Sequence, residues 1–150
     1  MTRPRSILAF ERLFLLALLL WAVRQALTFG AQVAQFEANP AGQGRSWILA
    51  TLLIGTAIVN LLIWYLAARR ANIAGKWLAV AAAAVSAVLL LFEVFALLQP
   101  GGASLPFKLL ALVASALTVA AAVPLFHDDA KAWFGENLFD DDIDDEEQPA

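Results

Sequence analysis

Arg24 and Glu93 lie deep inside long apolar runs, where an ionisable side chain is costly. Charges inside a bilayer are rare, face a bundle interior or water, and mark functional positions by default. If both runs are helices that cross in the same direction, a rise of 1.5 Å per residue puts Arg24 roughly 9 Å and Glu93 roughly 8 Å from mid-span, in the same half. An ion pair between the first and third helices is therefore expected. Glu93 also shares a helical face with Ser86, Ala82 and Ala79, small residues suited to a bundle interior. Three chemistries are open for the pair. It is a structural bridge that fixes helix orientation, or Arg24 snorkels to the headgroups while Glu93 is protonated or hydrated, or the site moves protons or cations.

A second constellation lies near mid-membrane. Thr56 and Asn60, Ser86, and Ser115 and Thr118 come from three different apolar runs at similar depth. They read as polar glue, with interhelical hydrogen bonds of roughly 1 kcal/mol each, or as a site for a small polar ligand. A third group, Arg12, Arg69, Arg70 and Lys76, gathers near one membrane face beside Glu11. It satisfies the topology rule for basic residues and is also a candidate phospholipid headgroup contact.

Other chemistries lack residues. There is no cysteine and one histidine, His127, so thiol catalysis, disulfides and bis-histidine haem ligation are excluded. Asp128 and Asp129 adjoin His127 without further ligands at metal spacing, and no metal or other cofactor is expected. No nucleotide-binding loop, nucleophile elbow or zinc-protease motif is present, so no enzymatic activity is expected. The basic residues mark helix ends rather than a patch, which argues against nucleic acid.

The elements that must position these residues follow from composition. Of 150 residues 61% are hydrophobic and 15% charged, with a mean hydropathy of +0.73. Soluble domains carry about 25% charged residues, so this chain belongs in lipid. Four apolar runs, at about 7–28, 47–67, 77–98 and 106–126, each have the ~20 residues that a helix needs to cross a ~30 Å core. They do not alternate as barrel strands do. The predicted fold is an all-α membrane protein, a four-transmembrane-helix bundle over 1–127. Loops are expected over 29–46 and in the QPGGASLP turn at 99–106, with Pro106 opening the fourth helix. Large residues on helix one (Phe10, Phe14, Leu15, Leu18, Leu19) are expected to face lipid or a partner. Small-xxx-small pairs such as Ala82–Ser86 and Ala111–Ser115 let helices three and four approach closely.

Charge sets the orientation. Residues 1–127 carry nine bases and three acids, a net +6, whereas residues 128–150 carry one base and ten acids, a net −9. Arg3, Arg5 and Arg12 precede or enter helix one, and Arg69, Arg70 and Lys76 flank the second connection. Arg45, Lys108 and Arg24 lie toward the other side. This favours both termini in the cytoplasm. Trp47 fits the outer interface, and Trp64, Tyr65 and Trp77 the inner one. A cleaved signal peptide is the rival for the first run. Glu11 and Arg12 interrupt it and Gln32 spoils the nearest cleavage site, so an uncleaved helix is expected. A short interfacial helix is expected over 128–139, with Trp133, Phe134 and Phe139 on the membrane. Beyond it lies an acidic disordered tail, 140–150, with docking to a basic partner as its minority role.

The segments PRSI-x3-ER near the start, LLIWYLAARRANIAGKWL across the second connection and DAKAWF after helix four carry a resemblance. Over roughly residues 4–134 the chain resembles uncharacterised small four-helix inner-membrane proteins encoded in many proteobacterial genomes. The resemblance implies a bacterial inner-membrane location and no activity. The expected role is a non-enzymatic accessory or structural membrane subunit, in contact with the lipid bilayer and with a membrane protein complex or its own copies. The alternatives are a small transporter or channel subunit using Glu93, and a lipid- or quinone-binding module.

Overall fold

A segment in hydrocarbon must satisfy every backbone N–H and C=O within itself, which a helix does. In the computed structural model, which describes residues 3–99 and 104–136, the four apolar runs are helices. They are α1 (Arg5–Glu37), α2 (Trp47–Ala68), α3 (Ile73–Leu98) and α4 (Leu105–Ala122). A 3₁₀ turn, Val123–Phe126, continues α4, and α5 (Asp128–Phe134) follows. All four long helices have the length and apolarity to cross a membrane. Their outward faces carry a girdle of exposed apolar residues that includes Leu52, Ile58, Leu91, Phe92 and Phe95. The molecule is a multi-pass membrane protein.

The helices run up and down in sequence. Each of α1 and α3 packs against both α2 and α4, so α1 and α3 occupy diagonal corners. The N-terminus, the α2–α3 connection and α5 meet at one end, called basal below; the α1–α2 connection lies at the other, the rim end.

The basal end holds the tightest packing. Ile7, Phe10 and Phe14 of α1 meet Ile63, Ala67 and Ala68 of α2, Ala79 of α3, Ala121 of α4, Leu125, and Ala130 and Phe134 of α5. Ile7, Phe10 and Leu125 are fully buried. Phe10 and Phe14 therefore do not face lipid or a partner as expected. Their rings lie 5.3 Å apart inside this plug, and Leu18 lines an internal cavity.

Three boundaries differ from the sequence reading. The loop expected over 29–46 begins only after Glu37, because one glycine, Gly30, does not end a helix whose side chains support it. Thr28 Oγ1 donates to the Arg24 carbonyl (2.8 Å), and Gln32 Nε2 donates to Thr28 Oγ1 (2.8 Å). The chain turns at Asn39–Pro40, and Gly42 lies against the Phe36 carbonyl, where a Cβ would sit 2.0 Å from the oxygen. Helix α3 starts four residues early, at Ile73, because Asn72 caps it by accepting from the Ala74 N–H (2.8 Å). The C-terminal helix is shorter than 128–139, ending where Gly135 takes a left-handed conformation, and two of its aromatic residues turn inward. Phe134 enters the plug, and Trp133 packs on the plug and donates from Nε1 to the Ala67 carbonyl (3.3 Å). Phe139 and the acidic tail 140–150 lie outside the described residues.

Candidate functional site

Above the plug the four helices line a partly open cavity of about 370 Å³. Below its upper part the wall mixes apolar residues, Phe14 and Ala17 of α1, Ile63 of α2, Ala82 of α3 and Ala114 of α4, with the uncharged polar residues Thr56, Asn60, Ser86, Ser115 and Thr118. Its upper part carries Arg24 and Glu93 beside Trp21. All seven candidates on the first and second constellations thus line one space. Counted from the basal ends of their helices at 1.5 Å per residue, Arg24 and Glu93 stand about 29 and 30 Å up, and the polar band about 12–20 Å. Trp64 and Trp77 mark the basal boundary at about 6 Å, so a ~30 Å core leaves the two charges roughly 7 Å beneath the far boundary.

The polar band is not interhelical glue. Thr56 Oγ1 donates to the Leu52 carbonyl (2.8 Å), Asn60 Nδ2 to the Thr56 carbonyl (2.9 Å), and Thr118 Oγ1 to the Ala114 carbonyl (3.0 Å). Each of these bonds goes to its own helix one turn back, the local partner that Ser, Thr and Asn side chains find most readily. The oxygens Oγ1 of both threonines and Oδ1 of Asn60 keep lone pairs free for another donor.

The expected Arg24–Glu93 ion pair does not form. Among the described residues the ion pairs are Arg3–Glu11, Arg69–Glu11, Lys76–Glu136 and Lys131–Asp128. The reason is azimuthal: the two helices share a direction and the two residues share a level, but α1 and α3 are diagonal. Arg24 Nε and Glu93 Oε2 are both buried without a hydrogen-bond partner. They are also the two charged residues among those lining the cavity.

The basal cluster has a different fate from the headgroup contact expected. Glu11 is buried and holds both Arg3 and Arg69, the latter at 2.9 Å. Arg69 stacks over Trp64 at 5.4 Å, and Arg70 lies over Tyr65 and donates from Nε to its hydroxyl (3.0 Å). Lys76 is 2% exposed, so it is no lipid contact. Its Nζ pairs with Glu136 at 2.7 Å and lies 5.1 and 5.5 Å from the Phe126 and Phe134 rings. Arg12 alone of the four remains an exposed basic residue with neither ion pair nor hydrogen bond among the described residues. Asp129 Oδ2 accepts from the Ser6 N–H (3.2 Å), and that bond holds its carboxyl below the ordinary carboxylate range. Among the described residues no group of three or more His, Asp or Glu side chains is placed to hold a metal.

The sequence reading missed two contacts. Glu136 was one acid among ten, with no pattern to single it out as the partner of Lys76. Lys108 Nζ donates to the Ala96 and Gln99 carbonyls at the end of α3 (2.8 and 3.2 Å), where the helix leaves orphan acceptors. Only its position opposite a helix C-terminus hinted at that. The chain matches no family model, no curated protein and no solved structure.

Proposed function

We propose that this chain is a non-enzymatic accessory or structural protein of the bacterial inner membrane, with both termini in the cytoplasm, that binds a small ligand within its bundle. The observation that carries the reading is the pair of unpartnered atoms, Arg24 Nε and Glu93 Oε2, in one cavity. Both residues are half-buried, and a polar atom buried without a partner costs about 1–3 kcal/mol. A ligand that supplies those partners offsets that cost. The cavity has the general make-up of a ligand site: mostly apolar walls and a few convergent polar groups, within the ~300–1,000 Å³ such sites occupy.

The orientation rests on the basal bases, Arg3, Arg5, Arg12, Arg69, Arg70 and Lys76, and on the positive-inside rule. The bacterial location rests on the resemblance over residues 4–134. Because the chain has no native cysteine, single-cysteine variants test the topology. Ala41→Cys is expected to react with a membrane-impermeant maleimide on intact spheroplasts, and Arg70→Cys only after permeabilisation. The reverse pattern refutes the orientation.

The binding reading is tested by native mass spectrometry of protein extracted in mild detergent. A discrete bound mass is expected on the wild-type chain and is lost from Ser86→Phe, which fills the cavity. An unliganded wild-type chain refutes it. A second reading, a transporter or channel subunit in which Glu93 handles protons or cations, is favoured by the same free Oε2 atom. It is opposed by the fully buried Ile7, Phe10 and Leu125 beneath the cavity, which leave no polar route to the basal side. Proteoliposomes loaded with a pH-sensitive dye are expected to show no proton flux. A flux abolished by Glu93→Gln establishes the second reading instead.

A further inference from the structure

We infer that the ligand is a small zwitterion: an anionic group set against Arg24, an ammonium set against Glu93, and an apolar body directed toward the floor. This rests on the binding reading above and specifies its chemistry. Three observations carry it.

The first is charge balance. Arg24 and Glu93 are the two charged residues on the cavity wall, so the wall is formally neutral but divided. A simple cation would satisfy Glu93 and face the Arg24 guanidinium as a like charge; a simple anion would do the reverse. Only a ligand with both signs leaves neither protein charge unpaired, and an uncompensated charge in low dielectric is the costly arrangement. The second is that the two do not satisfy one another. They project from diagonal helices, and each keeps a buried atom with no hydrogen-bond partner. Arg24 Nε can only donate and a Glu93 carboxylate can only accept, which matches a carboxylate or phosphate on one side and a primary ammonium on the other. The third is polarity along the membrane normal. Both charges lie in the far half of the span, and the wall below them is uncharged, with Phe14, Ile63 and Ala114 interspersed among the Thr, Ser and Asn side chains. A ligand with a charged head and an uncharged, apolar body fits that division when its head points to the far side. Asn60 Oδ1 and the Thr56 hydroxyl oxygen lie well below the two charges and keep acceptor capacity for water rather than for the ammonium.

The shared chemistry has two sources, a free apolar amino acid and the head of an aminophospholipid, and one set of probes separates them. The free-ligand arm uses three molecules with one apolar body: leucine, 4-methylpentanoate, which lacks the ammonium, and 3-methylbutylamine, which lacks the carboxylate. Binding is measured calorimetrically on the full-length protein in nanodiscs of phosphatidylcholine and phosphatidylglycerol. Leucine is expected to bind about tenfold to a hundredfold more tightly than either truncated probe, the range for losing one hydrogen bond to a charged group. The lipid arm uses nanodiscs of phosphatidylethanolamine and phosphatidylglycerol, with native mass spectrometry after release. Retained phosphatidylethanolamine, reduced by Glu93→Gln with phosphatidylglycerol unchanged, assigns the site to a lipid head. Either arm positive supports the zwitterion.

The failures are distinct. A truncated probe that binds as tightly as leucine, or a retained mass with no ammonium, overturns the zwitterion and leaves the binding reading intact. No bound mass and no heat with any probe overturns both. The truncated probes act on the wild-type chain, so the free-ligand arm does not depend on Glu93→Gln folding.

Discussion

The contact between Lys76 and Glu136 allows an asymmetric prediction. Lys76 is almost fully buried, its Nζ lies 2.7 Å from both carboxylate oxygens, and the Glu136 side chain retains 24% exposure. Breaking a buried pair by removing one partner costs about 3–5 kcal/mol, because a charge is left without compensation. Two features reduce that here. Solvent at Glu136 screens the pair, and the Phe126 and Phe134 rings still attract the stranded ammonium by about 0.5–1 kcal/mol. Glu136→Gln is therefore expected to weaken docking of α5 by about 2 kcal/mol, which at ~1.4 kcal/mol per decade is a roughly thirtyfold rise in the open population. Lys76→Met is expected to cost less than about 1 kcal/mol, since it removes the buried charge and leaves Glu136 able to turn to water. In the Lys76→Met background Glu136→Gln should have almost no effect. Hydrogen exchange at the amides of residues 130–135, measured in nanodiscs, reads the opening directly. Wild-type exchange in Glu136→Gln, or faster exchange in Lys76→Met than in Glu136→Gln, refutes the reasoning.

Further outcomes follow from the basal end and the α2–α3 connection. Asp129 is held below its ordinary range by the Ser6 N–H, so its folded pKa is depressed. Its contribution to α5 docking is then constant at neutral pH and is lost as pH falls through that lowered value. Asp129→Asn should remove this acid-range dependence, seen as the loss of the low-pH transition in Trp133 fluorescence. Gly75→Ala places a Cβ 2.7 Å from the Ala67 nitrogen and the Leu66 carbonyl carbon. Backbone atoms cannot yield as a flexible side chain can, so the helices must separate, and a loss of about 2–3 kcal/mol in denaturant unfolding is expected. Ala71 sits at φ 49°, where a Cβ is strained, so Ala71→Gly should be neutral or stabilising by up to about 1 kcal/mol in the same assay.

Depth was legible in the sequence and azimuth was not. A hydrophobic run gives the length of a span, and a rise of 1.5 Å per residue then gives the level of every side chain on it. That sufficed to put Arg24 beside Glu93 in height and the five polar residues in a common band. Which side of a helix faces its neighbours is harder to read in lipid, because Leu, Ile and Val serve equally on the interior and on the bilayer face. For Arg24 and Glu93 this meant that equal height did not bring contact, since α1 and α3 are diagonal. Phe10 and Phe14 failed for the same reason, being apolar enough for either environment and sent by tertiary packing to the interior. The extension of α1 past Gly30 depended on local side-chain bonds from Thr28 and Gln32 that composition does not announce. At the basal end the residue types were informative but their partners were not, and Lys76 was read as surface because its mate lies 60 positions away.

The α2–α3 connection has a consequence for biogenesis. Asn72 N–H bonds to the Leu66 carbonyl (3.1 Å), the Arg69 and Arg70 amides both bond to the Tyr65 carbonyl, and the Asn72 side chain caps α3. Every one of these bonds is made within the hairpin, so two helices can enter the bilayer together with their joined ends already satisfied, before any other helix is present. With α1 on one flank they form an array open on one side, because α1 and α3 are diagonal and share no extensive interface. Helix α4, opposite α2, also touches both and closes the ring. The cavity that holds Arg24 and Glu93 therefore does not exist during synthesis until α4 arrives, and a ligand for it can be admitted as the bundle shuts.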